Sequence, residues 1–258
     1  MEFYKYEGTG NDFILFDNRN LKFNRSNNAL VAALCHRRFG IGADGLMLLQ
    51  NKTGVDFEMV YYNSDGNESS MCGNGGRCIV EFARTLGLVK EEAHFYASDG
   101  PHEAFLKTGF VSLKMKDVAE VESTADFKFL NTGSPHYVAF VNNLVNFNVV
   151  EEGKKIRYNE RFKAQGTNVN FIEKQGEELF VRTYERGVED ETYSCGTGVT
   201  AAALVAAMNA VSTGNSYCDI KTLGGKLKVK FNNHLNETFT DVWLEGPATF
   251  VFKGDVEI

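Results

Sequence analysis

The chain carries one unusual turn twice. Met71-Cys72-Gly73-Asn74-Gly75-Gly76 leads into the helical run Ile79-Val80-Glu81-Phe82-Ala83-Arg84, and Tyr193-Ser194-Cys195-Gly196-Thr197-Gly198 leads into Val199-Thr200-Ala201-Ala202-Ala203-Leu204. The two cysteines lie 123 positions apart, and three further matches keep nearly that spacing. Thr9-Gly10-Asn11 before an apolar run pairs with Thr132-Gly133-Ser134 before another; Gly42 pairs with Gly166; Tyr62-Asn63 pairs with Tyr184-Glu185. Collinear matches at one offset mark an internal duplication. Two copies do not make a solenoid, so the expectation is two similar domains whose cysteines face each other.

A lone cysteine at a glycine-rich turn is more often a small buried hydrophobe than a reactive group. Two observations shift that reading: the turn occurs twice, and each copy opens a helix. Glycines let backbone amides crowd toward a ligand, and a helix N-terminus adds partial positive charge. Such a setting lowers a thiol pKa and favours the nucleophilic, basic thiolate. Two thiols flanking one carbon can remove a proton from one side and deliver another to the opposite side, which inverts a stereocentre. The amides of Gly73, Asn74, Gly196 and Thr197 suit a carboxylate gaining enolate character as the carbanion forms. No PLP lysine motif or dinucleotide fingerprint is evident, so no cofactor is expected.

Composition narrows the partners. The 258 residues, 43% hydrophobic and 24% charged, suit two globular domains with real cores. A net charge of −7 without a basic block makes nucleic acid and anionic membranes poor partners. The N-terminal residues lack the apolar core of a secretory leader, and the run Val199–Val211 is too short and polar to span a bilayer, so the cytoplasm is the expected location. Five cysteines with no CxxC pair argue against a disulfide framework or a zinc site, and no metal is expected. Cys35, Cys78 and Cys218 share apolar faces with their neighbours and read as core.

In chain order, residues 2–6 and 12–17 read as strands around the turn Gly8-Thr9-Gly10-Asn11. Ser26 reads as the N-cap of a helix to about Arg38, with Leu30, Ala33 and Leu34 inward and Gly40 ending it. Strands follow at Leu46–Leu49 and Val55–Tyr62, then the first cysteine turn and a helix stopping at Gly87. Strand-like runs continue to about Met115, and the acidic stretch Lys116–Asp126 reads as the domain connection. The second half repeats the plan: strands near 137–141, 169–173 and 179–184, the second turn, and its helix ending near Thr213-Gly214. Strands at 226–231, 238–244 and 249–252 finish the chain. The class is α+β.

With these residues in view, the chain resembles the diaminopimelate epimerases over essentially its whole length. The likeness rests on Gly8-Thr9-Gly10-Asn11-Asp12-Phe13, Gly40-Ile41-Gly42-Ala43-Asp44-Gly45, Asn63-Ser64-Asp65-Gly66, Met71 through Cys78, Gly166 through Phe171, Tyr184-Glu185-Arg186-Gly187 and Ser194 through Gly198. It implies Cys72 as proton donor and Cys195 as proton acceptor. It implies substrate contacts from Asn11, Asn63, Asn74, Asn168, Glu185 and Arg186, with backbone at Gly73, Gly196 and Thr197 on the reacting carboxylate. His136 would support the thiols. Ser134 is a departure, because the family commonly has Asn before Pro135-His136. The implied fold is two pseudo-symmetric domains, each a mixed β-sheet wrapped as a barrel around a central helix. They divide as 1–118 and 119–248, with 249–258 crossing back to the first. The implied substrate is diaminopimelate, with a homodimer left open.

Three other readings compete. A proline or hydroxyproline racemase of the same fold typically carries His in place of Asn74. A thiol–disulfide redox protein would pair the two cysteines, against which the lack of CxxC counts. A non-catalytic amino-acid binding protein would need no thiol at either position.

Overall fold

The computed structural model describes residues 1–107, 109–208, 214–234 and 237–258. The chain forms two compact units: Met1–Leu113 with Gly246–Ile258, and Lys114–Glu245.

The first unit runs β1 (Glu2–Gly8), β2 (Asn11–Asp17), α1 (Asn28–Cys35), β3 (Gly45–Gln50), β4 (Phe57–Asn63), β5 (Glu68–Ser69), α2 (Gly73–Thr85), β6 (Glu92–Ala97), β7 (Gly100–Lys107) and β8 (Phe110–Lys114). Its sheet is mixed. β1–β2, β3–β4, β4–β5, β6–β7 and β7–β8 are antiparallel, while β2–β3 and β4–β6 are parallel. The C-terminal strand Thr249–Asp255 lies antiparallel to β1, from Glu2 opposite Asp255 to Glu7 opposite Thr249.

The second unit runs β9 (Val121–Ser123), β10 (Lys128–Asn131), β11 (Pro135–Phe140), α3 (Val149–Arg157), β12 (Asn168–Gln175), β13 (Glu178–Glu185), β14 (Asp190–Thr192), α4 (Gly196–Met208), β15 (Gly214–Thr222), β16 (Gly225–Asn233) and β17 (Phe239–Gly246). The pairing pattern repeats. β11–β12 and β13–β15 are parallel, and β9–β10, β10–β11, β12–β13, β13–β14, β15–β16 and β16–β17 are antiparallel. The duplication read in the sequence is thus a duplication of topology.

Each unit's sheet curves around one helix. α2 packs on β1, β2, β3 and β7, and α4 on β10 through β13, β15 and β16. Both helices are buried over most of their surface, which their residues permit. A Cβ on Gly76 would lie 2.9 Å from Leu113 Cδ2, and one on Gly198 would lie 2.4 Å from Asn170 Oδ1. Only glycine lets the helices sit this close. Among the described residues, no helix is long and apolar enough to cross a membrane.

Several local expectations need correction. Asn27, not Ser26, caps α1, its Oδ1 accepting from Leu30 N at 3.1 Å. The helix stops at Cys35 rather than Arg38, because His36 Nδ1 accepts the amides of Arg38 and Phe39 and turns the chain. Its inner face is Val31, Leu34 and Cys35; Ala33 is exposed. Cys35 and Cys78 are core, but Cys218 is only half-buried. The expected end of the last helix near Thr213 lies outside the described residues, and Gly214 already begins β15. α3 and the short strand β9 were not expected at all.

Candidate active site

In the first unit, Cys72 is the extended residue that caps α2, and its carbonyl accepts the Gly76 amide at 2.6 Å. The half-buried thiol lies 3.7 Å from Asn11 Oδ1, which also accepts from Asn74 Nδ2 at 3.4 Å. Asn11 is fixed from behind by donating Nδ2 to Asp44 Oδ2 at 2.7 Å. The tight β1–β2 hairpin brings Asn11 here. Thr9 and Gly10 both have positive φ, 54° and 83°, the two-residue turn whose twist matches its strands. Thr9 is a β-branched residue held in a strained conformation. Its Oγ1 donates to Gly8 O at 2.7 Å and contacts Asn74 Oδ1 at 3.4 Å. Asn63 ends β4, exposed, and its backbone closes the turn to Gly66 and Asn67.

The second unit repeats the arrangement. Cys195 precedes α4, and its carbonyl accepts the Val199 amide at 2.9 Å. Its buried thiol lies 3.6 Å from Thr197 Oγ1. The Thr197 carbonyl is held by Thr132 Oγ1 at 2.8 Å. Asn168, at the start of β12, donates Nδ2 to Ser134 Oγ at 2.9 Å and to Pro135 O at 3.1 Å, while its Oδ1 accepts the Arg186 amide at 2.9 Å. The exposed Arg186 guanidinium reaches Ser134 Oγ at 3.3 Å and Gln165 O at 3.1 Å. Glu185 accepts from Thr192 Oγ1 at 2.8 Å. Asn168, Ser134 and Arg186 therefore form one connected group.

His136 is wholly buried. Asn170 Nδ2 meets its Nδ1 at 3.0 Å, which leaves the proton on Nε2, an atom with no hydrogen-bond partner among the described residues. Burial, reinforced by the Arg186 charge, pushes its pKa down to about 3, so the ring is neutral. It is tied into the packing behind α4: Asn170 also donates to Tyr137 O at 2.9 Å and accepts from Thr183 Oγ1 at 3.0 Å, and it lies against Gly198.

Asn170 and Arg77 escaped residue-by-residue reading, although both lie in quoted motifs. Each is a polar residue on an otherwise apolar, inward face, which was the available signal. In each half the first-turn amides of the cysteine helix, Gly73 in one and Gly196 and Thr197 in the other, are donors that the helix itself does not use. Each half thus pairs a thiol with amide donors and fixed side-chain amides. That set can bind a carboxylate and exchange a proton at the adjacent carbon.

Solved structures place the fold. A phenazine biosynthesis protein of the PhzF family from Bacillus anthracis is 13% identical, with a TM-score of 0.76 over 100% of this chain and 99% of that one. A probable proline racemase from Agrobacterium radiobacter, also 13% identical, gives 0.72 over 100% and 93%. The chain therefore has the duplicated α+β fold of the PhzF and proline racemase-like proteins. Sequence relatives are far nearer. A diaminopimelate epimerase from Flavobacterium psychrophilum is 54% identical over 98% of this chain and 99% of its own length. One from Chlorobaculum tepidum is 42% identical over 97% and 99%. The profile of the diaminopimelate epimerase family matches residues 3–118 and 128–251. The chain belongs to the diaminopimelate epimerase family.

Proposed function

We propose that this protein is a cofactor-independent epimerase that interconverts LL- and meso-2,6-diaminopimelate in the cytoplasm, in the synthesis of lysine and peptidoglycan precursors. The observation that carries the reading is the repeated cysteine: in each unit a cysteine immediately precedes the central helix at the same point of the same topology.

The two units act as its domains, with the C-terminal residues belonging to the first. In the LL direction the Cys195 thiolate takes the α-proton and the Cys72 thiol supplies one to the opposite face. The carbanion's charge spreads into the carboxylate, which the amides of Gly73, Asn74, Gly196 and Thr197 hold. After turnover Cys195 is the thiol and Cys72 the thiolate, so the meso direction starts from that state. Asn11 and Asn63 contact the substrate from the first unit. In the second, Asn168 and Arg186 take the distal end, where a guanidinium fork suits a carboxylate, and Glu185 its amino group. Ser134 and His136 support that wall. Neither nucleic acid nor a membrane has a part, and no metal is called for.

The test is proton NMR of LL-diaminopimelate with reduced protein in D₂O, beside an L-proline sample. Loss of one α-proton signal with growth of the meso isomer, and unchanged proline, is the expected result. Exchange in proline alone would overturn the substrate, and exchange in neither would overturn the reaction. Cys72→Ser and Cys195→Ser should each lower turnover by at least about 10³-fold with an unchanged circular dichroism spectrum, since each removes an acid–base group. Near-normal turnover in either variant would sink the two-thiol mechanism.

A further inference from the structure

Arg77, in α2, is a fully buried guanidinium. Nε donates to Pro247 O at 3.2 Å, Nη1 to Gly73 O at 3.1 Å, and Nη2 to Asn74 Oδ1 at 3.1 Å and Thr9 Oγ1 at 3.3 Å. Gly8 lies close by: a Cβ there would come within 3.2 Å of Asn74 O and 3.3 Å of Cys78 Sγ, and meet Nη2 at an ordinary contact distance of 3.4 Å. Every one of these acceptors is neutral. Among the described residues, Arg77 forms no ion pair, and a buried charge without a counter-charge is costly.

The ionisable groups whose charge reaches Arg77 are Cys78, Cys72 and Glu7. Cys78 is itself wholly buried, which pushes its thiol far up and keeps it neutral. Glu7, on β1, is the weakest of the three and half-exposed, and its Oε2 accepts the Gly10 amide. Of the other ionisable groups on the strands packed against α2, Lys5 pairs with Asp12 at 2.6 Å, Tyr4 with Glu2, Glu2 with Lys253, Tyr6 with Thr85, Asp17 with Arg19, and His102 with Asp99; Glu103 lies beside His94, and Lys107 is exposed. Cys72, the cap of the same helix, remains.

The duplicated half supplies the comparison. The position 123 residues after Arg77 is Thr200, whose Oγ1 donates to Gly196 O at 2.9 Å, just as Arg77 donates to Gly73 O. The same carbonyl in each cysteine turn is capped by a cation in one half and by a neutral hydroxyl in the other. His136, behind the second turn, is neutral as well, and the cation of that half whose charge reaches it, Arg186, is exposed and engaged by Gln165 O and Ser134 Oγ, so solvent screens its charge.

We propose that Arg77 is the built-in counter-cation of Cys72 and makes the two duplicated thiols unequal. In the substrate-free protein the thiolate rests on Cys72 and the proton on Cys195. Arg77 is a positioning residue, since it acts through Cys72 and Asn74 and not on the substrate. This rests on the two-thiol reading, and it means that the resting protein is in the state that starts from the meso isomer.

The experiment is iodoacetamide alkylation of the reduced full-length protein between pH 5.5 and 10, read peptide by peptide by mass spectrometry. It compares titration midpoints rather than rates, so unequal access does not matter, and it needs no turnover. A failed epimerisation assay therefore leaves it readable. In the native protein the Cys72 midpoint should lie about one pH unit or more below that of Cys195. Arg77→Met should raise the Cys72 midpoint by about one unit while moving that of Cys195 by less than about 0.3. Arg77→Lys, which keeps the charge but loses the fork, should hold the Cys72 midpoint and still lower turnover. A Cys195 midpoint at or below that of Cys72 in the native protein overturns the proposal, whether or not Arg77→Met folds. So does an unmoved Cys72 midpoint in folded Arg77→Met, or a Lys variant that shifts it as far as Met does.

Discussion

Ser134 shows how much one hydroxyl can organise. Its oxygen accepts from both Asn168 Nδ2 and Arg186 Nη2, so two groups that would face the substrate's distal end share one anchor. Ser134→Ala removes the anchor without unfolding anything, because Asn168 keeps Pro135 O and Arg186 keeps Gln165 O. Groups held for binding rather than for the transition state affect KM before kcat. Steady-state kinetics should therefore show KM raised roughly 5- to 10-fold and kcat within about 2-fold. A large kcat loss with unchanged KM would place Ser134 at the reacting carbon instead. Ser134→Asn should recover part of the KM loss, since its carboxamide oxygen can accept from the same donors. That this position departs from the family pattern was legible in the sequence. Its two donors were not, because Asn168 and Arg186 are 34 and 52 residues away and meet it only through the β11–β12 and β12–β13 pairings.

At the scale of elements, the glycines around the cysteines serve different purposes, and substitution should separate them. Gly198 sits against Asn170 Oδ1, which cannot retreat because Asn170 is bonded to His136, Tyr137 and Thr183. Gly198→Ala should cost about 2–3 kcal/mol in urea denaturation, the upper part of the usual range for overpacking a buried contact. Gly87, just past α2, has φ of 75° and open space around it, so Gly87→Ala should cost only about 1 kcal/mol, for the backbone alone. Equal losses in the two variants would mean that α4 has room to move. The helices behind the cysteines were legible because glycine-rich turns and apolar runs are local signals. α3 was not: its inward face is only Val149, Gly153 and Ile156, a narrow stripe interrupted by a glycine that is there for the Tyr184 ring. The limits of α1 were misread for a similar reason, since both ends depend on which side chain wins a local hydrogen bond.

For the molecule as a whole, acid sensitivity follows from two groups with different windows. His136 has its folded pKa pushed down to about 3 by burial, whereas in the unfolded chain it titrates near 6.5. The unfolded state therefore binds more protons below pH 6.5, and stability falls from there toward pH 3. Asp12 is also partly buried, which raises its pKa, but hydrogen bonds from Arg37 and Lys5 outweigh this and bring it to about 2. Its contribution is complete above the unfolded value near 4 and is lost as pH falls through the folded one. Between about pH 6.5 and 4.5, then, His136 acts alone of the two. Urea denaturation across that window should show the native protein losing stability with falling pH, while His136→Gln holds nearly level. Asp12→Asn should behave differently. It leaves the buried Lys5 without its carboxylate, at about 3 kcal/mol near neutrality, and its gap from the native protein should close only between about pH 4 and 2. A native stability that stays level from pH 6.5 to 4.5, or a slope that survives His136→Gln, would show that the histidine titrates normally and that its burial is not what the packing of Asn170, Tyr137 and Thr183 implies.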